Sequence, residues 1–281
     1  MSSERFTFGG VTVEIRGEGD WIRSKQSALF HAEPSAKTDH LISLEYAKSA
    51  PAVPPCATKS GPVSRWTEGD AVHTLKVYGT DQFAYSVRTP GQTHLSCGLG
   101  YRDTMYSQAI LESADLFDIL ADYGRLVLHS SFIIVNGVAL LFTGPSGIGK
   151  STQASLWREF ASADIINGDR SLIRLDDLTA NGVFYSGTSR ICQNASAPIR
   201  AIVLLSKSGE NTLRRAGTKE AFAALLSQCA YYQWDAESAS CMTLLAAQLV
   251  ERANVYCLSC RADESAVRLL QNELFGGQNG N

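Results

Sequence analysis

The sequence contains no apolar run approaching the ~18 residues a membrane helix needs. Its N-terminus, MSSERFTFGG, also lacks the apolar core of a signal peptide. Both absences point to a cytoplasmic protein with no membrane partner. Runs of basic residues are missing too. With 25 Lys and Arg against 28 Asp and Glu the net charge is −3, so nucleic acid is not an expected partner. No disulfide framework is visible. The seven cysteines (Cys56, Cys97, Cys192, Cys229, Cys241, Cys257 and Cys260) are odd in number and irregularly spaced, and reduced thiols are expected. Cys257-Leu-Ser-Cys260 is a CxxC with no second pair nearby, whereas a structural zinc usually takes four ligands. VYCLSC therefore reads as an apolar strand whose thiols behave as small hydrophobes. The composition, 44% hydrophobic and 19% charged, supplies a real core, and 281 residues suffice for two domains.

The first hundred residues read as short strands. Phe6 to Ile15 alternates around Gly9-Gly10, a hairpin pattern, and Val72–Tyr78 with Gln82–Arg88 forms a second hairpin across Gly79-Thr80-Asp81. Between them, residues 47–62 hold Pro51, Pro54, Pro55 and Pro62, so a loop or edge connection is expected there. Residues 107–123 carry apolar side chains at helical spacing, and Gly124 provides the stop. Next, RLVLHSSFIIV and VALLF flank Asn136-Gly137, the strongest short hairpin signal. Further expected elements are a strand ending near Asp169, a strand over 201–205 and a helix over 219–231. A helix over 237–252, burying Leu244, Leu245, Leu249 and Val250, precedes a strand over 255–260 and a helix over 264–274. The resulting expectation is an α/β chain with a β-rich N-terminal domain, 1–120, and a nucleotide-binding domain, 121–281.

The chemistry is concentrated in Gly144-Pro145-Ser146-Gly147-Ile148-Gly149-Lys150-Ser151, which fits G-x-x-x-x-G-K-[ST] at every position. An apolar strand precedes it and a helical segment, 151–160, follows. That order places successive backbone N–H groups around an anion at a helix N-terminus. The glycines allow φ > 0 and close approach of the backbone. Lys150 would reach β- and γ-phosphates and the Ser151 hydroxyl would ligate Mg²⁺. A second carboxylate is then needed, and Asp169, at a strand end 19 residues after Lys150, is the candidate. The spacing implies a compact strand–loop–helix–strand unit, although Asn-Gly-Asp is also turn chemistry.

With these residues in view, the chain resembles the HPr kinase and phosphoenolpyruvate carboxykinase superfamily over about half its length, Leu126 to Leu274. The landmarks are LVLHSSFIIVNGVALLFTGPSGIGKST, NGDRS, APIRAIVLL and the ending VYCLSCRADESAVRLLQNEL. The resemblance implies a P-loop core in which Gly144 to Thr152 hold the phosphates of ATP. It makes Asp169 a catalytic or magnesium-binding carboxylate, the metal role being preferred, and sets His129 near the transferred phosphate. Arg190, in the turn Gly187-Thr188-Ser189-Arg190, is a candidate charge stabiliser whose alternative is an exposed polar loop. Arg170, beside Asp169, is its candidate salt-bridge partner. One departure stands out: such kinases carry two adjacent aspartates where this sequence has Gly168-Asp169.

What the resemblance implies is an ATP- and Mg²⁺-dependent kinase acting on a hydroxyl, foremost Ser or Thr of a peptide or protein, with a small-molecule hydroxyl as the close variant. The competing class is a nucleotide-binding regulatory or carrier module without transferase activity, kept open by the single aspartate. The N-terminal half does not resemble the regulatory domain of HPr kinases. Acceptor or partner recognition is open to it, and homo-oligomerisation is not carried over from their hexamers.

Overall fold

The structure is a computed structural model that describes residues 2–17, 21–102 and 104–276. It is a mixed α/β chain in which the described residues form two large sheets and seven α-helices. Two compact units can be separated, Met1–Tyr123 with Tyr231–Ala239, and Gly124–Ala230 with Ser240–Asn281. Among the described residues no helix is long and apolar enough to cross a membrane.

The first unit contains β1 (Ser2–Phe8), β2 (Val11–Gly17), α1 (Lys25–Ala28), β3 (His40–Ala47), β4 (Thr58–Ser60) and β5 (Val63–Glu68). It continues with β6 (Ala71–Val77), β7 (Phe83–Thr89), β8 (Gln92–Gly98), α2 (Ser107–Ser113) and α3 (Leu116–Asp122). Its sheet runs β1-β2-β3-β8-β7-β6-β5-β4, with β3 parallel to both neighbours and all other pairs antiparallel. Gly9 and Gly10, both at positive φ, close the β1–β2 hairpin, and Val77 pairs with Phe83 across the β6–β7 turn. In the proline-rich segment Pro51, Pro54, Pro55 and Pro62 all lie outside strands, and its one strand, β4, is at the edge of the sheet.

The helix expected over 107–123 is broken in two. Asp115 takes a left-handed conformation, φ 60°, between α2 and α3. Its buried carboxylate lies 2.7 Å from Lys76 Nζ and accepts from Tyr232 Oη at 2.8 Å and Ser86 Oγ at 3.1 Å. Burial pushes this carboxyl up, but Lys76 and Arg65 outweigh it and hold the group below its usual range. A continuous helix would carry Asp115 away from these partners, so tertiary charge pairing overrides a helical pattern that is locally sound.

The second unit comprises β9 (Arg125–Val135), β10 (Val138–Thr143), α4 (Lys150–Ala161), β11 (Asp164–Asn167), β12 (Arg170–Arg174) and β13 (Thr179–Asn181). After these come β14 (Ser196–Lys207), β15 (Thr212–Arg215), α5 (Thr218–Gln228), α6 (Ala236–Arg252), β16 (Val255–Cys260) and α7 (Glu264–Phe275). The first residues of α6 fall in the first unit. The strand path β10-β9-β12-β13-β14 closes on itself because β10 also pairs with β14. The long β9 makes this possible: its first half pairs with β12 and its second half with β10 and β11. The β9–β10 hairpin turns at Asn136 and Gly137, φ 50° and 75°, as Asn-Gly predicts. β10, β14 and β16 are parallel neighbours, so their carboxyl ends lie on one side of the sheet. The core beneath includes Phe142, Leu140, Val203, Leu258 and Trp157 of α4, all fully buried. One expectation fails in α6: Leu244, assigned to the buried side, is 63% exposed, whereas Leu245 and Leu249 are buried. α5 also stops at Gln228 rather than 231.

Candidate functional site

The glycine loop leaves β10 at Thr143 and enters α4 at Lys150. Gly144, Gly147 and Gly149 adopt φ of 141°, 74° and 116°, values that L-residues with side chains rarely take. A Cβ at Gly147 or Gly149 would meet nothing, so glycine serves backbone conformation there rather than space. α4 buries Lys150, Gln153, Ala154 and Trp157, a single stripe at i, i+3, i+4 and i+7. Trp157 packs on Phe142 of β10, ring centroids 6.2 Å apart, which ties the helix to the strand that feeds the loop. The first-turn N–H groups of such a helix have no intrahelical acceptor.

A cavity of about 280 Å³ opens over this turn. Most of the residues singled out in the sequence line it together: His129, Ser146, Gly147, Gly149, Lys150, Ser151, Thr152 and Asp169, joined by Gly168 and Thr188. Gly144, Pro145, Ile148 and Arg190 are not among its lining residues. Gly144 and Pro145 contribute in another way. The Lys150 ammonium is buried and donates to the Gly144 carbonyl at 2.8 Å and the Pro145 carbonyl at 3.1 Å. Burial lowers its pKa, partly countered by Asp169. Arg190 is exposed at a left-handed position, φ 55°, and Thr188 is the residue of that turn facing the cavity.

Asp169 sits between β11 and β12. One carboxylate oxygen is 3.4 Å from His129 Nε2, and the other is 3.5 Å from Arg170 Nε. His129 is the register partner of Arg170 across β9 and β12, so a strand pairing creates this proximity. Burial lowers the His129 pKa, with Lys150 and Arg170 adding to the effect and Asp169 opposing it. The backbone is pinned as well: Ser130 N–H donates to the Asp169 carbonyl at 3.0 Å and Thr143 Oγ1 donates to the His129 carbonyl at 2.8 Å.

The Gly187–Ser189 turn presses on this segment. A Cβ at Gly187 would fall 2.7 Å from Asp169 Cγ, and one at Gly168 would fall 2.6 Å from Ser189 Cβ. Position 168 has no room for a side chain, which is why a glycine stands beside Asp169. Sequence reasoning chose Arg190 over Thr188 in this turn, and it missed the Gly168–Ser189 crowding, which joins residues far apart in the chain.

A second cavity of about 450 Å³ shares Gly147, Gly149 and Thr152 with the first. Ile148 of the glycine loop also lines it, and its other walls come from the carboxyl ends of β14 and β16 and the residues just after them, including Leu205, Ser208, Cys260 and Arg261. Crevices outside the carboxyl ends of parallel strands are the usual ligand sites of α/β sheets. The seven cysteines are all free thiols, and no group of three or more metal-ligating side chains occurs among the described residues.

No protein-family model matches the chain, and no curated protein matches it. Among solved structures it is similar to the Hpr(Ser) kinase/phosphatase from Coxiella burnetii, at 12% identity over 54% of this chain and 93% of that chain, with a TM-score of 0.31.

Proposed function

We propose that the second unit is an ATP-dependent phosphotransferase acting on a hydroxyl, foremost Ser or Thr of a peptide or protein. The observation that carries this reading is that a full glycine-loop motif, its lysine and serine, and a separate carboxylate line one cavity. The oxygen donors Ser151 and Asp169 suit Mg²⁺, a hard cation that takes hydroxyl, carboxylate and phosphate oxygens. Bound there, the ion would neutralise charge on the β- and γ-phosphates.

The chain's own groups have separable tasks. The open backbone of Gly147 to Gly149 and the first turn of α4 receive the phosphates. Lys150 exchanges its two loop carbonyls for phosphate oxygens; burial has already removed most of its water, so less is lost on binding. Thr188 lines the same cavity and its hydroxyl is the group we assign to the acceptor. His129 lies beside Asp169, its Nε2 3.4 Å from one carboxylate oxygen, and its ring borders the space the transferred phosphate would occupy. The adjoining cavity, walled by Ile148 and Leu205, accepts the nucleoside.

A second reading, a nucleotide-binding module without transfer, is favoured by the single carboxylate at Gly168-Asp169. The two part experimentally. Wild type and Asp169→Asn are incubated with γ-labelled ATP, Mg²⁺ and a pool of peptides and metabolites. Transfer by the wild type alone, with nucleotide binding largely kept in the variant, supports the kinase. Binding without transfer in either protein supports the module.

A further inference from the structure

We infer that Asn167 is the positioning residue that aims Asp169 into the phosphate cavity, through four hydrogen bonds that no other side chain can reproduce. The residue is fully buried at the end of β11. Its Oδ1 accepts from the Asp169 N–H and the Arg170 N–H, each at 2.9 Å. Its Nδ2 donates to the Val183 carbonyl at 2.7 Å and the Tyr185 carbonyl at 2.8 Å. One amide therefore closes the Gly168-Asp169 turn with its acceptor end. With its donor end it fastens the segment that leads into the Gly187–Ser189 turn.

Both segments border the cavity, one through Asp169 and the other through Thr188. The pattern on the acceptor side is an Asx turn, in which a side-chain oxygen replaces a backbone carbonyl. Backbone groups take all four hydrogen-bonding sites of the amide. Aspartate has the same shape but offers acceptors only, so two carbonyls would face a carboxylate. Serine is too short to reach both segments. Glutamine adds a methylene to a site with no exposed surface. The sequence contains the clue in Asn-Gly-Asp, but as a local turn; the second pair of bonds is visible only in three dimensions.

This inference rests on the nucleotide and metal reading above, since positioning matters only if Asp169 has a metal or acceptor to meet. Residues that orient a metal-binding carboxylate typically change metal affinity or activity by about 10–100-fold when replaced. The test compares wild type, Asn167→Asp and Asn167→Ser in two assays. The first is hydrogen exchange by mass spectrometry. Peptides covering 168–170 and 183–185 are expected to lose protection in the variants, while the glycine loop and α4 keep theirs. The second is binding of the fluorescent analogue methylanthraniloyl-ATP with and without Mg²⁺. Metal-free affinity is expected within about twofold of wild type, and the gain from Mg²⁺ is expected to fall about tenfold or more.

Asn167→Ser retains one acceptor and is expected to lie between the other two; it carries the comparison if the aspartate variant does not fold. Equal losses of metal-free and Mg²⁺-dependent binding would mean a general structural role and overturn the inference, as would a full Mg²⁺ gain in a variant whose turn has lost protection. If the wild type binds no analogue at all, the nucleotide reading fails instead. The positioning of the Asp169 turn is then decided by the exchange data alone.

Discussion

Replacing Gly168 by alanine tests the packing that surrounds Asp169. The new Cβ would stand 2.6 Å from Ser189 Cβ and closer still to its hydroxyl, against ordinary carbon contacts of about 3.5–4.0 Å. Either the Gly187–Ser189 turn or the β11–β12 connection must retreat by about an ångström. Overpacking on that scale costs about 1–3 kcal/mol, which in a domain of this size lowers Tm by roughly 2–12 °C. Ser189→Gly supplies the internal control. In the wild type it removes a donation to the Ser186 carbonyl at 2.7 Å and an acceptance from the Ile191 N–H at 3.2 Å, for a cost of about 1 kcal/mol. In the Gly168→Ala background the same change removes both colliding atoms and should stabilise. The assay is urea unfolding of the four proteins, read by hydrogen exchange in residues 150–161 so that only the second unit is reported. A Ser189→Gly effect of the same sign in both backgrounds would refute the contact. The same crowding predicts that aspartate at 168, restoring a two-carboxylate pattern, unfolds this segment before it can add a metal ligand.

Three further outcomes follow from the geometry. His40 is buried, its pKa depressed to about 4 by burial and by Arg88. Unfolding restores it to about 6.5, so its contribution is complete above that pH and lost as pH falls through 6.5 to 4, for a total of about 3 kcal/mol; urea melts of wild type and His40→Gln between pH 8 and 4 should show a shallower slope in the variant. Lys76→Met leaves the buried Asp115 carboxylate without its nearest cation and should cost about 3–5 kcal/mol, seen as early melting of the first unit. Thr188→Val keeps the size of a cavity-lining side chain but removes its hydroxyl; nucleotide affinity should stay within about twofold while transfer falls about tenfold or more, measured as KM for ATP against kcat.

Local chemistry made much of this molecule legible. Asn136-Gly137 and Gly9-Gly10 announce their hairpins because a two-residue turn demands positive φ, and nothing distant competes. The glycine loop was equally plain, since its spacing encodes backbone conformation and helix entry together. What stayed hidden depends on partners far along the chain. Asp115 breaks a sound helical pattern for Lys76, Ser86 and Tyr232, none of which a periodicity count can see. Leu244 fits an apolar stripe, yet the face it occupies is left exposed. At the site, Arg190 attracted attention by its charge, while Thr188, two residues earlier, lines the cavity. Asn167 reads as one residue of a turn; its links to Val183 and Tyr185 reach the irregular segment between β13 and β14, which no local pattern reveals.

The central claim is that residues 144–152 hold the phosphates of a nucleotide, and titration calorimetry of ATP and Mg·ATP tests it most directly. Wild type should bind one nucleotide per chain, more tightly with Mg²⁺, and Lys150→Met should lose about tenfold or more with Ser151→Ala losing mainly the Mg²⁺ gain. Absence of binding by the wild type, or equal affinity in the Lys150→Met protein, would contradict the account.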